Sequence, residues 1–442
     1  MKHTFLYLAL AAMMCGSMYT PKAMAARTTA DGRIGMSMPE ADSVQTFEHC
    51  GLTFPRKTPD TKGRVDKKAT GLMFTSDDRS AFAPFYARLD GVLHGEPTRL
   101  NVLHIGGSHV QAGIYSGRMR DNLLDISPSA VGDRGFTFPF DAIRTNAPSD
   151  YKLKSYGRWT RSRCISQHPD ATLGICGAAA MTVDPTASLD YNLVQQKWAF
   201  TQLRVLGEAA STNTYPVVVL ADGTRLKPST TDELGYVFTL PEPVVALKVA
   251  FEGVGPGRMF TLRGLIPSSD RMGITYSGTG INGASTLSWL RCDKFVDELK
   301  LLPPDLVIFG IGINDANCMA DRFSADRFKD NYRQVIARIR EASPNAAFVF
   351  ITNNDCWVSS QSRPATSGPL VQQAFMDLAA ETGGAVFDVF QLMGGLGASD
   401  AWMRQGLMRS DHIHFTADGY RLLGDLLYNA LMDDYLTYGH RH

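Results

Sequence analysis

The stretch Leu100-Asn101-Val102-Leu103-His104-Ile105-Gly106-Gly107-Ser108-His109 opens as an apolar run rich in Val, Ile and Leu, then meets two glycines and a serine. The run reads as a buried β-strand, bounded upstream by Pro97 and Thr98. Downstream, Val110, Ile114, Gly117, Arg118 and Leu123 suit a helix. A serine at a strand-to-helix turn sits at the carboxyl end of a sheet, where open α/β folds place their ligands. It also stands near a helix N-terminus, whose free N–H groups favour negative charge. On this stretch alone a plainer role stays open, because serine is a favoured helix cap.

The same alternation continues far downstream. Residues 306–311, 347–352 and 385–389 read as further buried strands. Ser324 can cap a helix carrying Phe328, Tyr332, Val335, Ile336 and Ile339, which ends before Pro344. Residues 372–382 and 420–436 read as helices, the second with Leu423, Leu426, Leu427, Leu431 and Tyr435 on its apolar face. Upstream, Phe82, Phe85, Tyr86, Leu89 and Val92 recur at helical spacing. Strands alternating with helices predict an α/β fold, a parallel sheet covered on both sides.

Between about 127 and 272 the pattern changes. Short β-type runs at 200–206, 216–220, 235–240, 244–251 and 259–265 are separated by Asp222-Gly223, Pro241 and Gly255-Pro256-Gly257. This predicts a β-sandwich or jelly roll, 127–272, inserted into a discontinuous α/β domain, 71–126 and 273–442. Residues 26–70 are polar, broken by Pro and Gly, and read as an irregular extension.

Composition is that of a globular chain: 442 residues, 44% hydrophobic and 20% charged. Basic and acidic side chains number 44 each, and no basic stripe points to nucleic acid. Residues 1–25 read as a secretory signal: Lys2 and His3 precede a short apolar run from Phe5 to Met14, and Ala23-Met24-Ala25 fits a cleavage site. The run is too short to span a bilayer. Cys15 is a candidate for lipid attachment, but the bulky Met13-Met14 before it favours a protein exported without an anchor, to the periplasm or outside the cell. Past the signal stand Cys50, Cys164, Cys176, Cys292, Cys318 and Cys356, with no CxxC pair of the kind zinc sites use. Export permits disulfides. Cys164 with Cys176, and Cys318 with Cys356, are pairs the spacing allows, among 15 possible arrangements.

Four short motifs stand in order: Ser108; Gly283 within Gly280-Ile281-Asn282-Gly283-Ala284-Ser285; Asn314 within Gly310-Ile311-Gly312-Ile313-Asn314-Asp315; and Asp411 with His414 within Ser410-Asp411-His412-Ile413-His414-Phe415. Acyl transfer needs these groups. Serine is a poor nucleophile until a base takes its proton, and imidazole does so near neutral pH. A carboxylate holds the imidazole in the right tautomer. The oxyanion needs fixed donors, here the N–H of Ser108, the N–H of Gly283 and the amide of Asn314. Singly, each has a bland reading: a turn Asn, a turn glycine, a loop charge, a structural histidine. Jointly, each at the end of a predicted strand or just before a helix, they read as one site.

This order resembles the SGNH (GDSL-type) hydrolase superfamily, whose four blocks carry those residues. The resemblance covers about 80–125 and 273–436 and implies a three-layer, flavodoxin-like α/β/α domain. The family usually has Gly-Asp-Ser where this chain has Gly106-Gly107-Ser108. His104 to Gln111, Gly135-Phe136-Thr137-Phe138-Pro139 and Ile281 to Ala284 resemble the branch with a β-rich module between the serine and glycine blocks, the layout of bacterial peptidoglycan O-acetylesterases. That resemblance implies a secreted O-acetylesterase with an acetylated glycan as substrate. It implies Ser108, Asp411 and His414 as catalytic residues, and no metal or organic cofactor. Gly107 sustains a rival, a weak or inactive glycan-binding surface protein. A second rival acts on other acyl esters or transfers acetyl groups. Trp159, Trp198 and Tyr191 are candidates to stack on sugar, with core packing the alternative.

Overall fold

The computed structural model describes residues 46–49 and 52–439. The expected signal segment, Cys15 and Cys50 lie outside them. The first elements are β1 (Thr46–His49), β2 (Leu52–Pro55), β3 (Leu72–Met73), α1 (Ala83–Leu93), β4 (Arg99–Gly106), α2 (Ser108–Gln111) and α3 (Ile114–Leu124). The helix expected after Ser108 is therefore two helices, broken at Gly113, which has φ +69°. Within the expected irregular extension, 26–70, the described part holds two strands, and residues 26–45 lie outside the described residues. β1 and β2 pair antiparallel, with Phe47 opposite Phe54, and Phe47 sets its ring edge-on to Tyr428 at 6.2 Å. Arg56 forks onto Asp433 at 2.6 and 2.9 Å, and Asn429 brackets the backbone of Lys57. Pairing between adjacent short strands leaves no periodicity long enough to read.

No α-helix interrupts the next segment among the described residues. Its strands are β5 (Lys152–Tyr156), β6 (Thr160–Arg163), β7 (Ala178–Thr182), β8 (Ser188–Asn192), β9 (Phe200–Ala209), β10 (Tyr215–Val219), β11 (Arg225–Leu226), β12 (Thr230–Asp232), β13 (Gly235–Val244), β14 (Ala246–Glu252) and β15 (Phe260–Ser268). They form two antiparallel sheets, β11-β10-β14-β8-β5 and β12-β13-β9-β15-β7-β6. Leu189, Val218 and Val249 of one sheet and Leu203, Phe238 and Leu262 of the other share one buried cluster, as in a sandwich. Trp198 and Tyr191 are buried in that cluster, so they are core rather than sugar platforms. Trp159 is half-buried, edge-on to Phe251 at 5.5 Å.

The chain then forms β16 (Gly273–Gly280), α4 (Thr286–Trp289), α5 (Phe295–Leu299), β17 (Leu306–Gly310), α6 (Ile313–Ala316), α7 (Ala325–Ala342), β18 (Ala347–Ile351), β19 (Trp357–Val358), β20 (Arg363–Pro364), α8 (Gly368–Thr382), β21 (Ala385–Phe387), α9 (Val389–Met393), α10 (Ser399–Arg404) and α11 (Ala417–Gly439). Ser324 caps α7 by accepting the N–H of Arg327, as its sequence predicts. The central sheet runs β16-β4-β17-β18-β21-β3, parallel except for the antiparallel edge strand β3. Two of these strands, β16 and β3, go beyond the four read from sequence, and the fourth strand is shorter than expected because Asp388 caps α9.

Period-two alternation explains the layers. Leu100 and Val102 of β4, with Leu306 and Ile308 of β17, join the cluster that holds Met119, Leu123, Leu423 and Leu427. Leu103, Ile105, Val307 and Phe309 point the other way, into the cluster of Phe328, Tyr332, Ile336 and Phe375. Each face is thus sealed by its own helices. The five cysteines within the described residues are all free thiols, so neither pairing allowed by spacing is present. Cys164, Cys176 and Cys292 are fully buried together in the second cluster.

Candidate active site

The sheet register brings the motifs together. Gly106, at the end of β4, pairs with Gly280 of β16 on one side and Gly310 of β17 on the other. The serine, glycine and asparagine blocks therefore leave the sheet side by side. Ser108 opens α2, Gly283 follows in the turn after β16, and Asn314 lies in α6 after β17. The loop before α11 brings in the remaining pair. Ser108 Oγ lies 2.8 Å from His414 Nε2, and His414 Nδ1 lies 2.8 Å from Asp411 Oδ2. All five predicted residues meet here.

Asp411 is fixed by backbone. Its Oδ1 accepts the N–H groups of Ile413 and His414, both at 2.9 Å. Partial burial alone would raise its carboxyl, but these donors and the imidazole hold it below the ordinary aspartate value. Between them His412 adopts φ +53°, a left-handed conformation unusual for a non-glycine residue. Its ring stacks on Trp357 at 4.0 Å and 8°, and its carbonyl accepts the Trp357 N–H. Asn354 donates to the Ile413 carbonyl and Arg409 N–H to that of His414. The turn is thereby gripped from both flanks, as such strain requires.

The N–H groups of Ser108 and Gly283 have no protein acceptor among the described residues. Gly283 stands at φ +83°, where a side chain would be strained. Its loop is held from α2: Gln111 Oε1 accepts the Asn282 N–H at 2.6 Å. Gln111 Nε2 in turn donates to Thr145 Oγ1 and Asn146, which also accept from Asn282 Nδ2. Asn314 Nδ2 donates to the Ala284 carbonyl at 2.9 Å, so one of its two N–H bonds is spent and one remains. A Cβ on Gly107 would stand 3.3 Å from that nitrogen. Glycine at 107 thus spares Asn314 a shift of a few tenths of an ångström. Asp315 bonds Thr286 N–H and Oγ1, and burial pushes its carboxyl up to about 6 against those bonds.

Ser108, Gly283, Asn314 and His414 line one cavity of about 700 Å³, open to solvent. Behind it His109 packs 5.3 Å from the His414 ring, and its Nδ1 meets Tyr420 Oη at 2.8 Å. Burial, then the neighbouring His414, press His109 down to about 3, so it stays neutral beside a second imidazole. His104 is a core histidine, bonded through Nδ1 to Tyr276 Oη at 2.8 Å. Sequence reasoning missed Gln111, Asn146, Asn282, Trp357, His412 and Tyr420. Gln111, Asn282 and His412 carried a signal, as polar residues inside stretches already recognised.

Residues 257–422 match the model of the GDSL-like lipase/acylhydrolase family, a span that includes Gly283, Asn314, Asp411 and His414 but not Ser108. Comparison with curated proteins gives no match. Among solved structures, a peptidoglycan O-acetylesterase is similar over 83% of this chain and 99% of its own, at 20% identity and a TM-score of 0.67. A lipase/acylhydrolase from Enterococcus faecalis is similar over 36% of this chain and 77% of its own, at 23% identity and a TM-score of 0.29. Among the described residues no helix is long and apolar enough to cross a membrane. Residues 257–422 are thus similar to a GDSL-like lipase/acylhydrolase domain, within a mixed α/β fold that adds the two antiparallel sheets of the sandwich.

Proposed function

We propose that this protein is an exported serine esterase that removes O-acetyl groups from a glycan of the cell wall or outside the cell, peptidoglycan foremost. The unbroken line from Ser108 Oγ through His414 to Asp411, each contact at 2.8 Å, carries the reading. Ser108 Oγ attacks the acetyl carbonyl while His414 Nε2 takes its proton. Asp411 holds the Nδ1 proton and steadies the imidazolium. The N–H groups of Ser108 and Gly283 and the remaining amide N–H of Asn314 receive the oxyanion. Collapse breaks the bond to the sugar oxygen, which leaves with the proton from His414. Water, deprotonated by the same imidazole, then releases acetate from acetyl-Ser108. The glycan part of the reading is supported by the likeness in fold to a peptidoglycan O-acetylesterase and by the N-terminal signal pattern. The test is mass-spectrometric loss of acetyl groups from purified, acetylated peptidoglycan fragments. The native protein is expected to strip them and Ser108→Ala to leave them. Hydrolysis of a simple acetyl ester with the glycan untouched would refute the glycan substrate alone.

A further inference from the structure

We infer that Arg409 binds a carboxylate on the substrate, so that the site selects acetyl esters of acidic sugars over neutral ones. The inference rests on the esterase reading above. Arg409 is exposed and lines the same cavity as Ser108 and His414. Among the described residues it is the one Arg or Lys that lines the cavity, and no Asp or Glu does. Its guanidinium has no ion pair or hydrogen bond among the described residues. Asp411, two residues on, is spent on His414.

The rest of the wall also offers donors. Asn146 Oδ1 accepts from Gln111 Nε2 at 3.0 Å and Asn282 Nδ2 at 2.7 Å. Both bonds hold that amide by its oxygen, so its NH₂ is left without a protein acceptor among the described residues, on a side chain that lines the cavity. Asn317 and Ser359 add neutral polar groups. A cavity with one unpaired cation and oriented N–H donors is complementary to a ligand rich in acceptors and negatively charged. A planar guanidinium matches a carboxylate in two-pronged fashion, which an ammonium does not. The backbone N–H of Arg409, not its side chain, holds the His414 carbonyl at 2.8 Å. Side-chain substitution therefore leaves that contact in place.

The experiment compares kcat/KM for acetylated methyl glucuronide and acetylated methyl glucoside, acetylated at the same hydroxyl. The native protein is expected to prefer the acidic ester about tenfold to a hundredfold, the range of a charge-assisted pair. Arg409→Gln removes the preference through a rise in KM for the acidic ester, and Arg409→Lys keeps part of it. Added salt erodes the native preference. Should Arg409→Gln fail to fold, the salt series on the native protein carries the test. Absence of preference in the native protein, or its survival in Arg409→Gln, overturns the proposal. p-Nitrophenyl acetate separates the two levels. If the native protein hydrolyses it no faster than Ser108→Ala, the esterase reading fails; if it hydrolyses it faster but shows no preference between the two glycosides, only the role of Arg409 fails.

Discussion

Gln111 Oε1 accepts the backbone N–H of Asn282 at 2.6 Å, joining the helix that starts at Ser108 to the loop that presents Gly283. Gln111 is buried, so this bond is shielded from competing water. Loss of it frees the loop without removing any group proposed to touch the substrate. Gln111→Ala is expected to lower kcat on p-nitrophenyl acetate by about tenfold to a hundredfold, less than deletion of an oxyanion donor itself. KM should change little. An unchanged kcat would show that the loop holds itself.

Asp411→Asn keeps the size of the side chain but offers an amide to His414. The imidazole then loses its acceptor at Nδ1 and the partner for its positive charge. We expect kcat to fall by about 10³–10⁴-fold with KM nearly constant, in steady-state ester hydrolysis. A fall of less than tenfold would place the orienting group elsewhere.

Arg263 of β15 and Glu298 of α5 form a fully buried ion pair at 2.6 Å, and Glu298 also accepts the Ile175 N–H at 3.0 Å. The pair joins the antiparallel sheets to the helical layer. Removing one partner strands the other charge. Glu298→Ala is expected to cost about 3–5 kcal/mol in urea unfolding, whereas the double change Arg263→Met with Glu298→Leu costs far less. Equal losses would mean that packing, not stranded charge, sets the effect.

His104 is buried, and burial lowers its pKa to about 3. The unfolded chain binds a proton there below about pH 6.5 and the folded chain does not. Stability is therefore full above that value and declines as pH falls towards 3, by about 1.4 kcal/mol per pH unit from this group. His104→Gln should flatten that part of the stability–pH curve, followed by thermal unfolding between pH 7 and 4. An unaltered slope would contradict the assignment.

Much of this was legible in the sequence for a physical reason. β4, β17 and β18 are buried on both faces, so they appear as continuous apolar runs. The α7 and α11 stripes follow the helical period because each seals one face of the sheet. β16 was obscured because Gly273, Ser277, Gly278 and Gly280 interrupt its apolar residues. β3 has two residues, too few for any period. In the candidate site, the residues that sequence singled out and the structure brings together are those whose proposed chemistry calls for one residue type: Ser108, Gly283, Asn314, Asp411 and His414. Residues that act through shape or a second bond, such as His412 on Trp357 and Gln111 on Asn282, left no such mark, because many side chains fill those roles elsewhere.

The most direct measurement is the rate of p-nitrophenyl acetate hydrolysis by the native protein and by Ser108→Ala under the same conditions. The account predicts that the substitution removes at least about 10³-fold of kcat/KM while the thermal unfolding temperature stays close to native. Equal rates for the two proteins would contradict it.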